Sequence, residues 1–102
     1  MFLKWIRIIQ MKSGNMWTIK FTKNAEKDKK LLKNAGLEEK VKKLLNLIAA
    51  NPFVNPPGYE KLIGDLKDYY SRRINLQHRL VYRVLKETET IIVHSMWSHY
   101  DD

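Results

Sequence analysis

Ten residues in the middle of the chain, NPFVNPPGYE from Asn51 to Glu60, decide what it can fold into. Three prolines and a glycine within that stretch remove backbone donors and fix φ, so neither a helix nor an interior strand runs through it. The segment is expected to be a surface loop that separates two halves of different period. Before it, apolar residues recur at helical spacing. After it, they alternate.

The helical half is clearest at Leu37, Val41, Leu44, Leu45 and Ile48, which fall at i, i+4, i+7, i+8 and i+11 and form one apolar stripe. Lys40, Lys42 and Lys43 lie off that stripe, as a solvated face would. An earlier helix is expected through AEKDKKLLKNA, with Asn24 as its cap and Gly36 stopping it in a left-handed conformation. Ahead of both, MWTIKFT alternates Trp17, Ile19 and Phe21 against Thr18 and Lys20, a half-buried strand. Beyond the prolines, strands are expected at Tyr69–Asn75, His78–Lys86 and Thr90–Trp97. NLQ and ETE between them are short enough for hairpins, so these three run antiparallel. The class is α+β: an N-terminal strand and two helices packed on one face of a small antiparallel sheet.

A chain of 102 residues has room for one domain, expected over residues 16–102. MFLKWIRIIQMKSGN, residues 1–15, reads as an extension. Lys4 and Arg7 interrupt its apolar run before it reaches signal-peptide length, and it is too short to span a bilayer. Met11 and Met16 offer alternative starts, and a short amphipathic anchor is the rival reading. The absence of cysteine excludes disulfides and thiolate metal sites and fits a cytoplasmic protein. Nineteen basic residues face eleven acidic ones, a net charge of +8 that draws polyanions, RNA or DNA foremost. Without Lys4, Arg7 and Lys12 of the extension the surplus is still five.

Four of the five arginines, with a histidine, fall in SRRINLQHRLVYRV, Ser71–Val84. Period-two geometry puts His78, Leu80, Tyr82 and Val84 on one face, and Arg79, Val81, Arg83 and Leu85 on the other. Arg72 and Arg73 point to opposite faces, so no more than one shares a side with Arg79. Scattered arginines would coat an edge with charge; converging ones would hold a phosphate. Parity leaves both open. Glu60 follows PPGY in a segment dominated by cations, where a solvated loop carboxylate is the plain reading. His99 and Tyr100, in MWSHYDD, are either a frayed tail or a proton donor beside a platform for a base. His94 falls mid-strand and reads as structural; His78, at a turn, is ambiguous.

Three separated motifs, YEKL (Tyr59–Leu62), YYSRRINLQHRLVY (Tyr69–Tyr82) and MWSHY (Met96–Tyr100), together resemble the YoeB/Txe toxins of the RelE superfamily, over about Met16 to Asp101. The resemblance implies the toxin of a bacterial type II toxin–antitoxin pair, an endoribonuclease that cuts messenger RNA in the ribosomal A site and inhibits translation. It implies as partners the ribosome, A-site mRNA and a cognate antitoxin protein, with no membrane, no cofactor and no metal, and leaves open whether the free toxin is a homodimer. On the family's pattern the catalytic residues fall on Glu60 as base, Arg79 at the phosphate, His99 as acid and Tyr100 under a base. Arg72 and Arg73 of the arginine-bearing stretch are further candidates for RNA or ribosome contacts. Trp97 and Ser98 depart from the RYHY ending of some members, which bears on base preference or fit to the ribosome. The competing class is a basic RNA-binding module without catalysis.

Overall fold

A computed structural model describes residues 16–64 and 68–98. The first strand, β1 (Thr18–Phe21), leads through Thr22 into helix α1 (Lys23–Asn34). Helix α2 (Glu38–Ala50) follows after a tight turn. Among the described residues four strands follow: β2 (Glu60–Lys61), β3 (Tyr69–Arg73), β4 (Arg79–Leu85) and β5 (Thr90–Ser98). They form one sheet in the order β1-β5-β4-β3-β2.

The α+β class with two helices on a small sheet is what the periodicity predicts. The sheet is mixed, however. β1 pairs in parallel with β5, Thr18 opposite Thr90 and Phe21 opposite Val93, while the other pairings are antiparallel. β2, a two-residue strand, has no period of its own and exists through pairing with β3.

Local chemistry explains the helix ends. Thr22, rather than Asn24, is the N-cap of α1: its hydroxyl accepts from the Ala25 amide at 3.1 Å. The Asn24 amide instead donates to the His94 carbonyl of β5 at 3.2 Å, a tertiary partner that local pattern does not reveal. At the other end Gly36 takes φ 75°, as expected for a left-handed stop. The Gly36 amide donates to Lys33 O and the Leu37 amide to Leu32 O, the paired bonds of a Schellman ending.

The core lies between the helices and one sheet face. The α2 stripe supplies Val41, Leu44, Leu45 and Ile48; the sheet supplies Ile19, Tyr70, Leu80, Tyr82, Val84, Ile91, Val93 and Met96. Even-numbered residues of β4 therefore face inward, and Arg79, Val81 and Arg83 line the opposite face. The proline segment is anchored rather than loose, because Pro52 is fully buried and Phe53 packs on Tyr59 and Tyr70. Register shifts between β4 and β5 leave His94 as an extra residue between Val93 and Ser95. Side chains of α1 satisfy the backbone groups freed nearby. Thr22 and Asn24 donate to His94 O, and buried Asp28 accepts from the Met96 amide at 2.9 Å. Among the described residues no helix is long and apolar enough to cross a membrane. The expected extension, residues 1–15, lies outside the described residues.

Candidate active site

The face of the sheet away from the helices carries the polar constellation. Glu60 of β2 is opposite Ser71 of β3, and Arg73 of β3 is opposite Arg79 of β4. Directly opposed residues share a face, and so do residues two apart on a strand. Three short strand segments thus bring Glu60, Ser71, Arg73 and Arg79 together. With Gly58 and Tyr59 they line an open cleft of about 300 Å³. A larger hollow of about 410 Å³ at the β4–β5 turn is lined by Asp68, Val84 to Lys86, Glu87 and Thr88, and lacks this convergence of arginines on a carboxylate.

Arg79 is the hub of the cleft. Its Nη1 donates to Ser71 Oγ at 3.1 Å and lies 3.5 Å from Glu60 Oε1. The Ser71 hydroxyl is almost wholly enclosed, at 1% exposure, which fixes one side of the guanidinium. The Glu60 side chain is 67% exposed and that of Arg79 18%, so a carboxylate open to solvent sits against a largely sheltered cation. Arg73 is exposed and adds a second positive charge on the same side. Such a cleft can take a phosphodiester: two guanidinium groups for its oxygens and a carboxylate beside it to receive a proton.

β5 follows β4 in the sheet, and its last residue Ser98 is opposite Arg79 in register. The strand end is fixed through its neighbour Trp97, on which the His78 ring stacks at 4.0 Å and 19°. His78 Nδ1 also lies 3.2 Å from the Trp97 carbonyl oxygen, a contact that requires the proton on Nδ1. His78 is accordingly structural. His94 packs against Tyr69 at 4.8 Å; burial first, and the Arg83 charge second, lower its pKa from the usual 6.5. His99 and Tyr100, expected as acid and base platform, lie outside the described residues.

Arg72 corrects the sequence expectation that it contacts RNA. Strand alternation turns it to the helix side, where it is 0% exposed. Its guanidinium donates to Tyr82 Oη at 2.8 Å, to Pro57 O at 2.7 Å and to Pro52 O at 3.0 Å, and it stands 4.7 Å over the Tyr59 ring. No phosphate reaches it there. Sequence reasoning also missed Ser71, although its parity with Arg73 was a signal that it shares the arginine's face.

Comparison with known proteins gives the family of the chain and the relatives of its fold. Residues 16–100 match the family model of the YoeB-like toxin of bacterial type II toxin–antitoxin systems. The chain belongs to that family. Toxin YoeB of Synechocystis sp. is 42% identical over 67 residues, 66% of this chain and 71% of that protein. Among solved structures, the YoeB/ParE toxin from Agrobacterium tumefaciens superposes with a TM-score of 0.73 at 31% identity, covering 80% of this chain and 98% of that one. A heterotetrameric YoeB–YefM toxin–antitoxin complex from Staphylococcus aureus gives 0.70 at 36% identity, covering 82% and 98%.

Proposed function

We propose that this toxin is a ribosome-dependent endoribonuclease that cuts mRNA in the A site by acid–base catalysis. The observation that carries the reading is the Glu60 carboxylate 3.5 Å from Arg79 in an open cleft that Arg73 also lines. RNA brings its own nucleophile, the 2′-hydroxyl next to the scissile phosphate, so the enzyme has protons to move and charge to stabilise. Glu60 takes the 2′-hydroxyl proton. The oxygen attacks phosphorus, the bond to the 5′-oxygen breaks, and a 2′,3′-cyclic phosphate forms. His99, protonated, gives its proton to the departing 5′-oxygen, leaving a 5′-hydroxyl end.

Arg79 and Arg73 balance the charge that builds on the phosphorane. Donors and cations aimed at developing charge are commonly the largest single term in such sites. Each acid or base group adds on the order of 10²–10⁴-fold. Arg79 already spans to Glu60, so a phosphate held by the guanidinium lies beside the carboxylate that must reach its 2′-oxygen. Tyr100 stacks on a base, an interaction of about 1–3 kcal/mol. The acid–base set is complete without a metal or organic cofactor.

A cleft this open and shallow does not enclose a strand. That fits a substrate presented by a larger body, here the ribosome in the cytoplasm. The Staphylococcus aureus relative occurs both with the antitoxin YefM and as a YoeB dimer. We extend both to this chain: an antitoxin partner for a surface with net charge +8, and self-association of the free toxin.

The test maps RNA ends on programmed ribosomes with the wild type and with Arg79→Ala. The wild type should yield a defined A-site cut bearing a cyclic phosphate, and Arg79→Ala should lose it by 10²-fold or more. Folded wild-type protein that cuts nothing, with binding that weakens a little at each lysine removed, supports the non-catalytic RNA-binding module instead.

A further inference from the structure

We propose that Arg72 is the positioning residue for Glu60, holding the proline loop from inside the protein so that the carboxylate stays at Arg79. The inference rests on the assignment of Glu60 as the base. Glu60 needs such support. Its strand is two residues long and exposed, with only Ser71 and Tyr70 opposite it. Next to it the Leu62 amide donates to Tyr69 O at 2.9 Å. Pairing this short does not fix a catalytic group, and the segment before it is a proline loop without regular structure.

The loop is clipped at both ends by one side chain. Arg72 Nη2 takes Pro52 O and Nη1 takes Pro57 O, three residues before Glu60. Its Nε is oriented by Tyr82 Oη, and the Tyr82 hydroxyl in turn donates to Pro52 O at 3.0 Å. The guanidinium lies over the ring of Tyr59, the residue joined to Glu60. A planar cation with forked donors can hold two carbonyls and a phenol at once; an ammonium on a flexible stem cannot reproduce that geometry. Burial stiffens the arrangement at Pro52 and Tyr82, where the bonds are shut off from water, while the Pro57 bond is part-buried. Neighbouring arginines on β3 thus divide the work: Arg73 faces the substrate and Arg72 faces the loop that carries the base.

The experiment compares wild type, Arg72→Lys, Glu60→Gln and the double variant in single-turnover cleavage on programmed ribosomes, with hydrogen exchange on the same proteins. Arg72→Lys should speed exchange of the Leu62 amide while leaving amides in the β4–β5 core protected. It should slow cleavage by about 10²-fold, the size of effect expected from a displacement of roughly 1 Å, with little change in ribosome affinity. In the Glu60→Gln background the same substitution should cause no further slowing. Tyr82→Phe, which keeps the ring and removes only the phenol bonds, should give a smaller loss of the same pattern, and serves if Arg72→Lys does not fold. Unchanged Leu62 exchange, or equal slowing with and without Glu60, overturns the positioning role while the base assignment stands. Full cleavage by Glu60→Gln overturns the base assignment and the positioning role with it.

Discussion

Asp28 offers a stability test whose size follows from the structure. The carboxylate projects from α1 and accepts the buried Met96 amide of β5 at 2.9 Å. Met96 itself is 0% exposed, so no water replaces a lost acceptor. Asp28→Ala leaves that amide unpaired, and an orphaned buried donor costs about 1–3 kcal/mol, toward the upper end where the lost partner is charged. The substitution also regains helix propensity, at most about 0.7 kcal/mol in an interior position. The penalty wins, and the expected net loss is about 2 kcal/mol. For a domain near this size that lowers Tm by roughly 8–16 °C. Asp28→Asn keeps an oxygen acceptor at the same place and should lose less than half as much. Urea unfolding of purified variants, with unchanged m-values to certify a comparable transition, measures both. An Asp28→Ala protein within 0.5 kcal/mol of wild type, or an Asn variant as unstable as the Ala one, refutes the claim that this bond holds the bulged strand against α1.

Further tests are more direct. His99→Gln should abolish ribosome-dependent cleavage with circular dichroism and Tm unchanged; persisting cleavage at the wild-type rate removes His99 as the acid. His94 has its folded pKa depressed by burial and by Arg83. The unfolded chain therefore binds the proton more readily, and the stability His94 contributes is present above pH 6.5 and lost as pH falls through its folded value. The stability gap between wild type and His94→Gln should accordingly shrink on acidification below about 6.5. Parallel stability curves across that range would remove the assignment.

What the sequence discloses depends on whether the governing contacts are near in the chain. The α2 stripe is a local pattern, and its buried residues are the ones the spacing names. Gly36 is equally local, since a left-handed stop needs nothing beyond its own turn. Asn24 shows the limit: its type suits a cap, but His94 O, 70 residues away, draws its amide, and Thr22 caps instead. The same limit hides the parallel pairing of β1 with β5, and β2, whose only cause is the strand beside it. Parity showed that Arg72 and Arg73 part company, and it took the register to show which one meets Arg79. Glu60 was found through the motif it sits in. Nothing in its own spacing distinguishes it from a solvated loop carboxylate.

The sheet order has a consequence for how this molecule comes into being. β5 is the latest of the five strands among the described residues, yet it lies between β1 and β4 and receives the side chains of Thr22 and of Asp28 in α1. Until Thr90 and its successors leave the ribosome, β1 has no strand to pair with and the inner faces of both helices have an incomplete floor. Contacts that join Thr18 to Thr90 also make closure slow, because a long stretch of chain must be ordered before they form. A partly made or truncated chain lacking β5 is therefore expected to be unfolded rather than a weakened form of the protein. The candidate cleft on β2, β3 and β4 thus depends on a strand that emerges after all three of them.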